Sequence, residues 1–63
     1  MSDIRVDREG SIFLVSGTSD AGQEWLDTNL DPEAQRWGKA YVVEARYIMD
    51  IVNGARAEGL VVT

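Results

Sequence analysis

The sequence contains no cysteine and no histidine, so packing alone has to hold its fold together. There is no disulfide, and no thiolate or imidazole is present to bind a metal. That is a severe constraint for 63 residues. A domain near this size buries only about 60% of its unfolded surface, and mini-proteins of this length commonly rely on such staples. The length allows one domain, residues 1–63. Either its own core suffices or a second copy completes it, so a homodimer is among the expectations.

The formal net charge is −5. Direct binding of nucleic acid requires Lys and Arg against phosphates, and an anionic membrane surface makes the same demand. No apolar run approaches the roughly 20 residues of a membrane span. The opening Met1-Ser2-Asp3-Ile4-Arg5 lacks the basic-then-apolar order of a signal peptide. The expectation is a cytoplasmic protein that binds neither membrane nor nucleic acid directly.

Ile4-Arg5-Val6 alternates apolar and polar, the mark of a strand, and Asp7-Arg8-Glu9-Gly10 reads as a turn with Gly10 in a left-handed conformation. Residues 11–16, an apolar and β-branched run between glycines, predict a second strand. Gly17 breaks it. Thr18, Ser19 or Asp20 can cap a helix that runs to about Leu30, and Asp20 with Gln23 fits a capping box. Asp31-Pro32 closes that helix, because the residue before proline disfavours the α region. Residues 33–39 read as a connector, with a short helical turn through Glu33–Arg36.

Ala40–Glu44 predicts another strand. The second helix is expected from Arg46 to Glu58, with Ile48, Ile51, Val52 and Ala55 at amphipathic spacing and Gly59 ending it at C′. Leu60-Val61-Val62 reads as a final strand. The order β-β-α-β-α-β predicts an α+β domain, a small three- to four-stranded sheet covered by two helices. The expected core is Ile12, Leu14, Trp25, Leu26, Leu30, Val42, Ile48, Ile51, Val52 and Leu60. Gly54 within the second helix costs about 1 kcal/mol relative to alanine, and close packing against a bulky neighbour such as Trp25 explains it.

Two motifs fail on inspection. Gly17 to Gly22 has phosphate-loop spacing, but Gln23-Glu24 stands where Lys-Ser/Thr is required. Asp27, Asn29 and Asp31 sit at calcium-loop spacing, yet Pro32 and Gly38 occupy the glycine and closing glutamate positions. Catalysis needs a nucleophile with a base or a tuned carboxylate pair. Without histidine or cysteine, the serines have no evident base. The expectation is therefore no enzyme, no cofactor and no metal.

One surface stands out. On a helical wheel of about 100° per residue, Asp20, Glu24 and Asp27 fall together, and Asp31 joins them if the helix continues. The four carboxylates form a stripe opposite Trp25, Leu26 and Leu30, spaced roughly 4.5–6 Å along the axis, similar to phosphates along a DNA strand. The plain reading is a solvated face. The sharper one is a recognition surface for a basic protein or nucleoprotein complex. Arg36 and Trp37 in the connector form a second candidate, being residue types typical of binding hot spots. Alternatively, Trp37 caps the core.

Trp25-Leu26, Ala34-Gln35, Trp37-Gly38, the run Val42 to Tyr47, Asp50-Ile51-Val52, Gly54-Ala55 and Gly59-Leu60 carry a resemblance over most of the chain. It resembles a group of short uncharacterised proteins of bacteria, phages and plasmids. The resemblance implies no activity, ligand or catalytic residue. It implies a mobile-element setting, in which small acidic proteins act as inhibitors, anti-CRISPR proteins among them. The resulting expectation is a non-catalytic, inhibitory or regulatory protein-binding module using Asp20, Glu24, Asp27, Asp31, Arg36 and Trp37. The alternative is a self-associating structural protein.

Overall fold

The computed structural model describes residues 1–63. Six elements follow one another: β1 Ile4–Glu9, β2 Ile12–Gly17, α1 Asp20–Asn29, β3 Arg36–Trp37, β4 Ala40–Glu44 and α2 Ala45–Ala57. The strands form one antiparallel sheet in the order β1-β2-β4-β3. The predicted α+β class and the order of the main elements are those of the structure. No helix is long and apolar enough to cross a membrane.

Two Gly-X loops set the sheet. Glu9 pairs with Ile12 around Gly10-Ser11, and Trp37 pairs with Ala40 around Gly38-Lys39. Gly10 and Gly38 have φ of 63° and 62°, and no other residue type has a positive φ. A positive φ at only the first loop position is the arrangement of a II′ turn, whose twist matches the flanking strands. The first turn therefore lies later than Asp7–Gly10, and β1 is longer than its alternating start indicated. The expected turn over Glu33–Arg36 lies instead at Asp31–Ala34, where Ala34 N donates to Asp31 O at 2.9 Å, and Arg36 begins the second hairpin.

Both helices cover one face of the sheet. Ser19 caps α1, its hydroxyl accepting from Gly22 N at 3.0 Å. α2 starts directly after β4 and ends in a cap at Glu58 followed by Gly59. Leu26, Ile48, Val52 and Ala55 from the helices bury against Ile4, Val15, Tyr41 and Val43 from the strands. Trp25, Leu30, Ile51 and Leu60 pack around them, partly buried.

Ile12, Leu14 and Val42 are not in this core. Val6 pairs with Val15, Phe13 with Val43 and Val15 with Tyr41, so the residues between them point to the other face. A one-residue change of phase moves a strand's whole apolar set across the sheet. The run Ile12–Val15 is apolar throughout, so it shows no alternation from which to read that phase.

The ends are tied together. Residues 61–63 lie parallel to β1, bridging Ile4 and Val62, with Asp3 N donating to Val61 O at 2.8 Å and Thr63 N to Ile4 O at 2.9 Å. The Asp3 carboxylate accepts the Ser19 hydroxyl at 2.7 Å and Val61 N at 2.8 Å, which joins the α1 cap to the last segment. Gly22 makes this junction possible, since a Cβ there would stand 1.8 Å from Asp3 O. Gly54 meets the expectation of close packing: its Cβ would lie 3.3 Å from the Trp25 ring.

Candidate protein-binding surface

The acids of α1 divide into distinct environments. Asp20 and Glu24 are exposed and form no ion pair. Asp27 is used internally. Its Oδ1 accepts the Tyr41 hydroxyl at 2.5 Å, Arg36 at 3.0 Å and the Gln23 amide at 3.0 Å. The Tyr41 phenol first, then Gln23 and Arg36, hold the Asp27 carboxyl below its ordinary 3.8. The same carboxylate, with burial, pushes the Tyr41 phenol above 10.0.

Asp31 is off the helix. α1 stops at Asn29, Leu30 is extended, and Asp31 Oδ1 accepts Glu33 N at 2.8 Å in a local turn. The continuous stripe of four carboxylates is thus corrected to two free acids on α1, one structural acid and one acid in the connector. Pro32 disfavours the α region at Asp31, one residue past the extended Leu30, and β4 delivers the Tyr41 hydroxyl to Asp27.

Arg36 and Trp37 separate by the alternation of β3. Arg36 pairs with Tyr41 on the helix side, its guanidinium stacking 4.0 Å from the ring centroid and bonding to both Tyr41 and Asp27. Trp37 faces the opposite side and is 64% exposed, so it does not cap the core. The structure therefore brings Asp27 and Arg36 together and separates Trp37 from both. Tyr41, which links them, was not singled out as part of the site. Its inward position follows from the pairing of β4, which sets Tyr41 and Val43 on the helix side, and the apolar run Tyr41–Val43 shows no alternation that signals it.

Charge is distributed unevenly. Residues 18–35 carry five acids, Asp20, Glu24, Asp27, Asp31 and Glu33, with no Lys or Arg, which equals the net charge of the whole chain. The remaining residues hold six acids and six bases. α1 and the connector thus hold acids without bases, and the open face of the sheet is acidic as well, with Arg5 set against Asp7, Glu9 and Glu44 by the strand register. On that open face Ile12, Leu14 and Val42 are half-buried, with Trp37 standing beside them.

The largest cleft, of about 720 Å³, lies between the connector, β4 and α2. It exists because β3 stops after two residues while β4 runs on to Glu44, so no strand fills the space beside Val42–Glu44. No cluster of three or more His, Cys, Asp or Glu is placed to hold a metal ion. No family model, curated protein or solved structure matches the chain.

Proposed function

We propose that this chain is a non-catalytic protein-binding module, a small acidic inhibitor or regulator of a phage or other mobile element, acting in the cytoplasm on a basic protein or nucleoprotein complex. The observation that carries this reading is the group of acids on α1 and the connector, Asp20, Glu24, Asp31 and Glu33, none of which forms an ion pair. Asp20 and Glu24 stand exposed there without ion pairs. An uncompensated carboxylate surface raises the local concentration of a cationic partner and speeds its capture, with steep salt dependence. A protein that normally grips phosphates meets unpaired carboxylates on this surface, which is the sense in which the module would mimic a nucleic acid or resemble an anti-CRISPR protein.

The test neutralises Asp20, Glu24, Asp31 and Glu33 as Asn or Gln and leaves Asp27 in place for the fold. Basic host proteins retained by the native chain at low salt should be lost from the variant, released by high salt and displaced by duplex DNA. Retention by the variant equal to that of the native chain removes the proposal.

A second reading is self-association, favoured by the apolar strip Ile12, Leu14, Val42 and Trp37 on the helix-free face. Two copies meeting there bury this strip and bring the acids Asp7, Glu9 and Glu44 of each copy to its margin. Sedimentation at two concentrations separates the readings, because a concentration-dependent dimer lost in Leu14→Lys supports this one.

A further inference from the structure

Resting on that reading of a basic partner, the geometry points to the cleft beside β4 as the site that takes one arginine or lysine side chain of the partner, stem inward and charge at the rim. The floor is apolar: Leu30, Ala34, Val43 and Ile51 line it. Carboxylates stand on both walls, Asp31 from the connector and Glu44 and Asp50 from the α2 side, and no Lys or Arg is among the lining residues. A ligand matched to such a lining has a flexible hydrocarbon stem and a cationic tip, the build of a long basic side chain that buries its methylenes and keeps its charge wet. The volume of about 720 Å³ is ample for this and falls within the usual range of ligand sites, about 300–1,000 Å³.

The molecule already contains one solution to the same recognition problem. Arg36 lies over the Tyr41 ring and bonds to Asp27, combining a guanidinium, a phenol face and a carboxylate. Tyr47 and Asp50, one helical turn apart on α2, present the second and third of these groups at the cleft. A guanidinium over a tyrosine gains both cation–π and carboxylate attraction. Arg46 is the near competitor: it lies 4.8 Å from the Tyr47 ring and pairs with Glu44 at 3.5 Å. That contact is exposed, so an incoming guanidinium displaces it at little cost.

The experiment uses a short capped peptide with one arginine between leucines, and its citrulline analogue, which keeps the shape and loses the charge. Amide shifts of the labelled chain are followed on titration. The arginine peptide should perturb Leu30, Ala34, Asp50 and Ile51, and the citrulline peptide should bind about fivefold more weakly or less. Asp50→Asn and Asp31→Asn preserve shape and should each weaken the arginine peptide by a similar factor, whereas Glu9→Gln, an exposed acid outside the cleft, should not. Equal binding of the two peptides, or no perturbation at the cleft, overturns the inference. Charge-dependent shifts at Asp20 and Glu24 alone overturn it while leaving the basic-partner reading intact. Loss of cleft and α1 shifts together overturns both.

Discussion

The Tyr41 hydroxyl donates to Asp27 at 2.5 Å, joining the middle of β4 to the last turn of α1 from within the layer the helix covers. Tyr41 is 1% exposed, and its phenol is the polar tip of a core side chain. Tyr41→Phe keeps the ring and removes this bond, leaving Asp27 with Arg36 and Gln23. Denaturant unfolding should show a loss of about 1 kcal/mol, the worth of an ordinary hydrogen bond. No loss in stability would show that the phenol contributes nothing.

The same pair sets the limits of the pH range. Asp27 and Asp3 both have carboxyls held below 3.8, Asp27 chiefly by Tyr41 and Asp3 chiefly by Val61 N–H. A depressed folded value favours the fold above the ordinary value, and that contribution is lost as pH falls through the folded value. Tyr41 is raised above 10.0, so its contribution is complete below 10.0 and lost as pH rises through the higher folded value. Thermal scans across pH should therefore give a plateau between the two limits. In Tyr47→Phe, which leaves Tyr41 as the only tyrosine, the midpoint of the phenolate absorbance change should lie above pH 10.0. A midpoint below that pH contradicts the contact.

Two helix glycines should respond unequally to alanine. At Gly22 the added methyl meets backbone, 1.8 Å from Asp3 O, and overpacking of this kind costs about 3 kcal/mol. At Gly54 it meets the Trp25 ring at 3.3 Å, where a small ring shift relieves the contact. The gain in helix propensity of about 1 kcal/mol offsets that strain. Gly54→Ala should be near neutral by chemical denaturation and Gly22→Ala strongly destabilising. Equal effects at both sites would contradict the packing described.

Asp3→Ala removes the acceptor of Ser19 and Val61. Hydrogen exchange should then speed at Val61, Thr63 and Val6, whose amide partners lie in this junction, while the amides of Ile48 to Val52 keep their protection. Uniform acceleration throughout the chain would instead mark a global loss of stability.

Much of this fold was legible before the coordinates. β4, α2 and most of α1 follow from apolar spacing and caps, and the Gly54–Trp25 contact follows from the oddity of a glycine inside a helix. The faces of β2 and β4 were not legible, because Ile12–Val15 and Tyr41–Val43 are apolar at every position. The information lay elsewhere, in the clean alternation Ile4-Arg5-Val6 carried across a two-residue turn at Gly10-Ser11. Placing that turn at Asp7–Gly10 broke the transfer. The site was legible only in part for a related reason. A helical wheel places Asp27 beside Glu24, but it holds no information about Arg36 and Tyr41, which reach Asp27 through the hairpin of β3 and β4. That hairpin was signalled only by Gly38-Lys39.

The surplus of acid lies in α1 and the connector, and α1 covers the sheet face opposite Trp37. The bare face is acidic as well, with Asp7, Glu9 and Glu44 against Arg5. Both layers therefore draw a cationic body, and what differs is the surface met on arrival: carboxylates on the side of α1, the indole of Trp37 on the side of the bare strands.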